Sequence, residues 1–353
     1  MRLYLCAGEA SGDRLGALLL EALRARIPNL TARGAPGPLL RAAGTVPVVE
    51  AEALTALGPL EAAAALPRVA LALSRLEADA RRWKPDVVVT IDSPSALLPL
   101  ARRLRQRGLR TVHWVSPQVW AWRPHRVRRV AASVDTLMCL FPFEASWYAN
   151  TGLEVVYTGH PLVDAVRVAA PSSMRRPVFG LAPGSRPGEI QRLWPIFRQV
   201  AGLLRARYPS CRFVVPVAPT VRGHAWTGID ATFTVGFVGE PVDAWLVCSG
   251  TATLEIAARR EPMIVVYRTD PLTYVWGRSV LNVAHLALPN LIAGREIVPE
   301  YVQDLDAAEL AAAMAGLLGE AGREQRRAVD EVIATLGSGA VERAADAVLR
   351  KVA

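Results

Sequence analysis

Asp86-Val-Val-Val-Thr-Ile-Asp-Ser-Pro94 is the stretch whose reading decides the fold. Val87 to Ile91 run apolar or β-branched without alternation, the pattern of a strand covered on both faces, and such strands belong to parallel sheets flanked by helices. Helical spacing lies on either side, Leu71 to Trp83 before it and Ala96 to Arg107 after it. Outward from there the alternation continues. Arg2 to Ala7 is a short apolar run, a Gly/Ser turn follows, and Leu15 to Ile27 keep helical spacing until Pro28-Asn29. Thr111 to Val115 and Val134 to Leu140 repeat the strand signal. After Pro161 and the stretch Pro171 to Pro177 the pattern restarts, with strands Pro177 to Leu181, Arg212 to Val217, Trp245 to Cys248 and Pro262 to Tyr267. Helices are expected over Ile190 to Tyr208 and Thr251 to Arg259, and the tail reads as helical over Ala307 to Leu318 and Glu320 to Val352. This βαβ order predicts an α/β protein with two parallel, doubly wound sheets. The expected divisions are 1–168, 169–335 and a C-terminal helix, 336–353, that packs back on the first domain.

Composition bounds the function. The 353 residues are 52% hydrophobic and 21% charged, which is globular rather than disordered, and long enough for about two domains. Forty-one Lys and Arg against 32 Asp and Glu leave a formal charge of +9, which suits an anionic partner: nucleotide, nucleic acid or anionic lipid. Cys6, Cys139, Cys211 and Cys248 show no Cys-x-x-Cys spacing and read as buried thiols of a reducing compartment, without a metal. No apolar run reaches the roughly 18 residues of a spanning helix, and Met1 to Ala7 is too short for a signal-peptide core, so a cytoplasmic chain is expected. Leu54 to Leu76, rich in Leu and Ala, reads either as a core-facing helix, the weightier reading, or as an amphipathic helix lying on a lipid surface.

Four turns carry the candidate chemistry. Pro183-Gly184-Ser185-Arg186 and Ser249-Gly250-Thr251 each follow a strand and open a helix, where backbone N–H groups and the helix dipole favour an anion, and Arg186 adds a fork suited to phosphate. Glu255 lies one turn into the second helix, within reach of ribose hydroxyls. Gly8-Glu9-Ala10-Ser11-Gly12-Asp13 lacks the Gly-x-Gly-x-x-Gly spacing, which disfavours a Rossmann dehydrogenase. Asp92 ends the decisive strand and reads equally as a general base at the sheet edge or as the cap of the following helix. Between Thr111 and Arg129, three Trp, two Pro and four Arg crowd the end of another strand, as a ligand-binding loop or a packed loop with a solvated Arg face. His113, His125 and His160 lack zinc-helix spacing, and Asp304-Leu-Asp306 reads as a helix cap rather than a metal-binding Asp-x-Asp.

Together these residues resemble the lipid-A-disaccharide synthase family. The resemblance rests on Gly8 to Asp13, Ile91-Asp-Ser-Pro94, His113-Trp-Val-Ser-Pro-Gln-Val-Trp-Ala-Trp-Arg123, Phe141-Pro-Phe-Glu144, Gly159-His160, Pro183 to Arg186 with Glu189, Ser249 to Glu255 and Leu288-Pro-Asn-Leu-Ile-Ala-Gly-Arg295, in family order. It implies the type B glycosyltransferase fold, two Rossmann-like domains facing a cleft. The implied reaction is an inverting transfer of diacylglucosamine from UDP-2,3-diacylglucosamine to 2,3-diacylglucosamine 1-phosphate, which gives the lipid A disaccharide and UDP without metal or cofactor. By the same resemblance Asp92, with Glu9 and Ser11, is catalytic. Gly184, Ser185, Arg186, Glu189, Ser249, Gly250, Thr251, Glu255 and Asn290 hold the UDP-sugar. Gly12, Ser116, Trp120, Trp122, Arg123 and Arg126 line the acceptor side. The implied partners are the UDP-sugar donor, a lipid-bearing sugar acceptor and the cytoplasmic face of the inner membrane, with no nucleic acid; a homodimer stays open.

Three departures bear on the acceptor. Ser95 and Leu97 stand where the family usually has a second carboxylate and an amide, Leu39 replaces a basic residue, and the connection from Val217 to Ser249 is short. Two other readings stay open on the residues: a UDP-sugar epimerase, which shares the fold, and a nucleic-acid groove built on Arg123 to Arg129 with stacking Trp residues.

Overall fold

The structure is a computed structural model. It describes residues 1–54, 59–122, 124–166, 176–218, 221, 223–224, 226–237, 241–270, 274 and 284–352, without the side chains of 59–65, 121, 122 and 124. The chain forms two compact units, Met1–Asp164 with Ser338–Ala353, and Ala165–Gly337.

In the first unit β1 (Arg2–Ala7) leads to α1 (Ala10–Arg26), β2 (Thr31–Ala35), the short α2 (Pro38–Ala42) and β3 (Val46–Pro47). Then come α3 (Pro59–Trp83), β4 (Val87–Ile91), α4 (Pro94–Gln106), β5 (Thr111–Trp114), α5 (Val119–Trp122), α6 (Val127–Ala131), β6 (Thr136–Cys139), β7 (Glu154–Tyr157) and α7 (Leu162–Ala165). The sheet is wholly parallel, in the order β3-β2-β1-β4-β5-β6-β7. The order reverses between β1 and β4, and open α/β sheets take their ligands at the carboxyl ends of the strands at such a switch point. Ala7 pairs with Ile91 there, so the turns beginning at Gly8 and Asp92 leave the sheet side by side. Tyr4, Cys6 and Val88 pack beneath Leu73 and Leu76 of α3 and Leu97, Leu100 and Leu104 of α4.

The second unit repeats the plan. β8 (Val178–Ala182), α8 (Pro187–Arg207), β9 (Arg212–Val217), β10 (Thr232–Val235), β11 (Ala244–Cys248), α9 (Thr251–Ala258), β12 (Met263–Tyr267) and β13 (Glu300–Val302) make a parallel sheet ordered β10-β9-β8-β11-β12-β13. Its switch lies between β8 and β11, where Ala182 pairs with Val247, so the Pro183 and Ser249 turns are neighbours at the carboxyl edge. The described residues between β9 and β10 form no α-helix.

The tail is not one continuous helix over Glu320 to Val352. It breaks after Leu336, where Gly337 and Gly339 take left-handed φ values of 65° and 77°, open to glycine at little cost. The second piece, Ala340–Arg350, belongs to the first unit. Asp346 pairs with Arg26 of α1, Lys351 with Glu154 at 2.5 Å, and the Arg110 guanidinium donates to the Val352 carbonyl at 2.9 Å.

Candidate active site

At the switch point of the first unit Asp92 and Ser93 take φ values of 59° and 43°. Left-handed backbone at a non-glycine residue costs of order 1–3 kcal/mol, and two in succession persist only where surrounding contacts enforce them. Ser11 Oγ donates to Asp92 Oδ2 at 2.7 Å, the Ser93 N–H donates to Asp92 Oδ1 at 2.8 Å, and Ser93 Oγ donates to Glu9 Oε1 at 3.4 Å. Gly12 is required by close approach, since a Cβ there would lie 2.9 Å from the Ile91 carbonyl oxygen and 3.3 Å from Asp92 Cβ. The first turn of α1 is thus pressed against the end of β4, which brings Glu9, Ser11, Gly12 and Asp92 together. The N-cap position of α4 falls to Ser93, so Asp92 is not that cap. An aspartate held by one donor on each oxygen keeps further lone pairs for an incoming hydroxyl.

Asp13, which has no role of its own in the sequence reading, is buried and fixes the facing loop. Its two oxygens accept the Leu39 and Leu40 N–H groups at 2.8 and 3.0 Å, and Gly37 leaves room for the carboxylate. Leu97 is fully buried on the core-facing side of α4, so that departure lies in the core; Ser95 is exposed.

The Trp-rich loop divides between packing and surface. Ser116 is buried, hydrogen-bonded to the Tyr148 hydroxyl at 3.0 Å, and its expected acceptor contact gives way to this packing role. Trp120 is buried edge-on against Phe143 at 5.2 Å, so it too is part of the packing. Its indole N–H lies close enough to favour the ionised form of Glu144 without reaching hydrogen-bond geometry. Glu144 accepts the Leu140 and Phe141 N–H groups at 3.0 and 2.9 Å, yet burial pushes its carboxyl up to about 7. Arg126 is exposed, and the side chains of Trp122 and Arg123 lie outside the described residues. His113 is buried against Thr90, Nδ1 to Oγ1 2.8 Å, and burial lowers its pKa to about 3, a neutral core histidine. Val115 adds a third strained position at this edge, with φ 80°.

In the second unit the two glycine turns are not equivalent. Glu189 accepts the backbone N–H groups of Ser185 and Arg186 at 3.0 and 3.1 Å, and Gly184 at φ 115° makes room for that carboxylate. The Ser185 and Arg186 amides expected to cradle an anion are therefore taken by the chain's own acid, and Gly184 and Glu189 shape the turn. The Arg186 guanidinium is 82% exposed and steered by Glu189 Oε1 at 3.0 Å. The Ser249 turn stays available. Gly250 caps α9 with no side-chain hydrogen bond, a Cβ there would meet nothing within 4 Å, and Ser249 Oγ is anchored on the Leu286 carbonyl at 2.8 Å. The first amides of a helix have no intrahelical partner, so Thr251 opens an anion-receptive end, with half-buried Glu255 one turn along.

Asn290 is the clearest correction. It is completely buried and all its hydrogen-bonding capacity is used: Nδ2 donates to Val298 O at 2.8 Å and Glu300 Oε1 at 2.7 Å, while Oδ1 accepts from Ile297 and Val298 at 2.7 and 2.9 Å. With those four bonds it frames the loop, and no side-chain donor or acceptor is left over for a nucleotide. Glu300, absent from the sequence reading, completes the frame by accepting the Leu286 and Ala287 N–H groups at 2.8 and 3.0 Å. Asp306 does cap its helix, accepting the Glu309 N–H at 2.8 Å.

Two Rossmann-like sheets, each with a polar turn at its switch point, define the class: a type B glycosyltransferase fold. The structure is similar to the glycotransferase of kitacinnamycin (TM-score 0.64, 14% identity, 99% of this chain and 98% of that one). It is also similar to the UDP-GlcNAc 2-epimerase from Neisseria meningitidis bound to UDP-GlcNAc (TM-score 0.58, 11% identity, 95% and 99% covered), so the fold alone does not choose the reaction. The sequence does. The model of the lipid-A-disaccharide synthetase family matches residues 3–352, and the chain is 39% identical to the lipid-A-disaccharide synthase of Alkalilimnicola ehrlichii over 99% of its own length and 98% of that relative. The chain belongs to the lipid-A-disaccharide synthase family.

Proposed function

We propose that Asp92 is the general base of the disaccharide-forming transfer. The acceptor 6-hydroxyl loses its proton to the Asp92 carboxylate as its oxygen bonds to the anomeric carbon of the UDP-linked diacylglucosamine. The bond from that carbon to the diphosphate breaks on the opposite side, and UDP leaves with the electron pair. The configuration inverts because attack and departure occupy opposite faces. The observation that carries the reading is the Asp92 carboxylate on its strained turn, oriented by Ser11 at 2.7 Å. The charge growing on UDP is met by Arg186 and by the N-terminus of α9, which is where electrostatic stabilisation lowers the barrier. Glu255 serves the ribose.

Among the described residues no helix is long and apolar enough to cross a membrane. The substrates carry acyl chains, and we propose shallow contact with a lipid surface through α3. One face of its second half is core, with Ala72, Leu73 and Leu76 buried, whereas Leu66 and Leu71 are 66% and 55% exposed. Leu57 and the Leu60 side chain lie outside the described residues. Mass spectrometry of the products from UDP-2,3-diacylglucosamine, offered with and without 2,3-diacylglucosamine 1-phosphate, tests the reaction. Disaccharide and UDP are expected only with both; an epimerised UDP-sugar formed without acceptor overturns the reading.

A further inference from the structure

Between α4 and α6 the first unit carries a groove of about 510 Å³, within the size range of small-molecule sites. Its floor is apolar, from Pro94, Leu98 and Pro99 on one wall and Val119 and Val130 on the other. Its lining reaches from Pro94 to Gln106, a length of about 18 Å at the rise of an α-helix. Arg102, Arg103, Arg126 and Arg129 also line it, and no carboxylate among the described residues does. Arg103 meets Glu77 at 3.8 Å, whereas Arg102 and Arg129 have no ion pair among the described residues. Four guanidinium groups around one concavity repel one another, and an anion among them gains from all four.

An apolar trough with a guanidinium rim matches a ligand that carries an acyl chain and a phosphate on one small scaffold. A bare phosphate leaves the floor unused, and a bilayer surface does not enter a concave slot. The near end of the groove, Pro94 and Ser95, begins two residues after Asp92. We propose that this groove is the acceptor subsite: one acyl chain of the acylated sugar phosphate lies along α4, and its phosphate is held by the arginine rim. The inference rests on the acceptor assignment made above.

The test is steady-state kinetics in neutral detergent micelles, which remove any anionic surface, with Arg102→Glu/Arg129→Glu and Ser95→Trp. The first variant reverses two exposed charges that have no ion pair among the described residues; the second narrows the groove at an exposed position. Each should raise the KM for 2,3-diacylglucosamine 1-phosphate by about tenfold or more, with donor KM within about twofold of the parent. The charge variant should lose much less with an acceptor lacking the phosphate. Unchanged acceptor KM in both variants, beside an active parent, overturns the groove and leaves the transferase reading standing. Equal rises in donor and acceptor KM also overturn it, because they signify a general amphiphile contact. A parent that makes no disaccharide overturns the reading of the reaction and this subsite with it.

Discussion

Replacing Asn290 separates a framing residue from a nucleotide contact. In Asn290→Ala the N–H and carbonyl of buried Val298 lose their partners together, as does the half-buried Ile297 N–H. Glu300 Oε1 keeps the Ala287 N–H at 3.0 Å and is not stranded. Each buried polar group left unpaired costs about 1–3 kcal/mol. Water admitted to the vacated space and to Ile297 recovers part of this, so a loss of about 3–5 kcal/mol is expected in the stability of the second unit. Asn290→Asp, nearly the same shape, should do no better, since it trades the amide donor for an acid 2.7 Å from Glu300 Oε1. Urea unfolding followed by intrinsic fluorescence measures the loss, and calorimetric UDP titration of the folded variant measures affinity. Stability within about 1 kcal/mol of the parent, with UDP affinity down tenfold or more, would refute the reasoning and return Asn290 to the nucleotide site.

Arg186→Ala should weaken UDP by about 1.5–3 kcal/mol and uridine far less; equal losses for the two ligands contradict a diphosphate contact. Glu144 binds its proton more tightly folded than unfolded, so its contribution to stability is full below about pH 4.5 and is lost as pH rises, by about 3 kcal/mol once pH passes 7. Glu144→Gln should lack that fall, and a variant whose pH–stability curve parallels the parent's sinks the assignment. Leu66→Asp/Leu71→Asp, at two exposed positions of α3, should fold normally yet sediment less with anionic vesicles, most visibly at high salt where charge attraction is screened. Sedimentation equal to the parent's at every salt concentration excludes α3 as the contact.

The fold was legible where burial is two-sided. Val87 to Ile91 and Val178 to Leu181 announce parallel strands, and the turns that follow them fall at switch points because chain order fixes strand order. Strands at or next to the sheet edges were not legible. Thr31-Ala-Arg-Gly-Ala35, the two residues of β3 and the three of β13 are too short or too polar for any periodicity to register. At the site, sequence marked which turns matter but not what their atoms do. Glu189 looks like a ligand contact until its carboxylate is seen on the amides of Ser185 and Arg186, and Asn290 until its four bonds are traced. The strain at Asp92, Ser93 and Val115 has no residue-type signature, because none is a glycine. Gly12 reads in the sequence as part of a turn; that it lies inside α1, and why glycine is required there, appears only from the structure and the distance to Ile91.

Asp92→Asn tests the central claim most directly. An asparagine keeps the oxygen that accepts the Ser93 N–H and preserves the turn, while removing the capacity to take a proton from the acceptor. Single-turnover formation of the disaccharide, measured beside calorimetric UDP affinity, is expected to slow by on the order of 10² or more with affinity nearly unchanged. A variant that turns over at close to the parent's rate would show that Asp92 only shapes the turn, and that the proton is taken elsewhere.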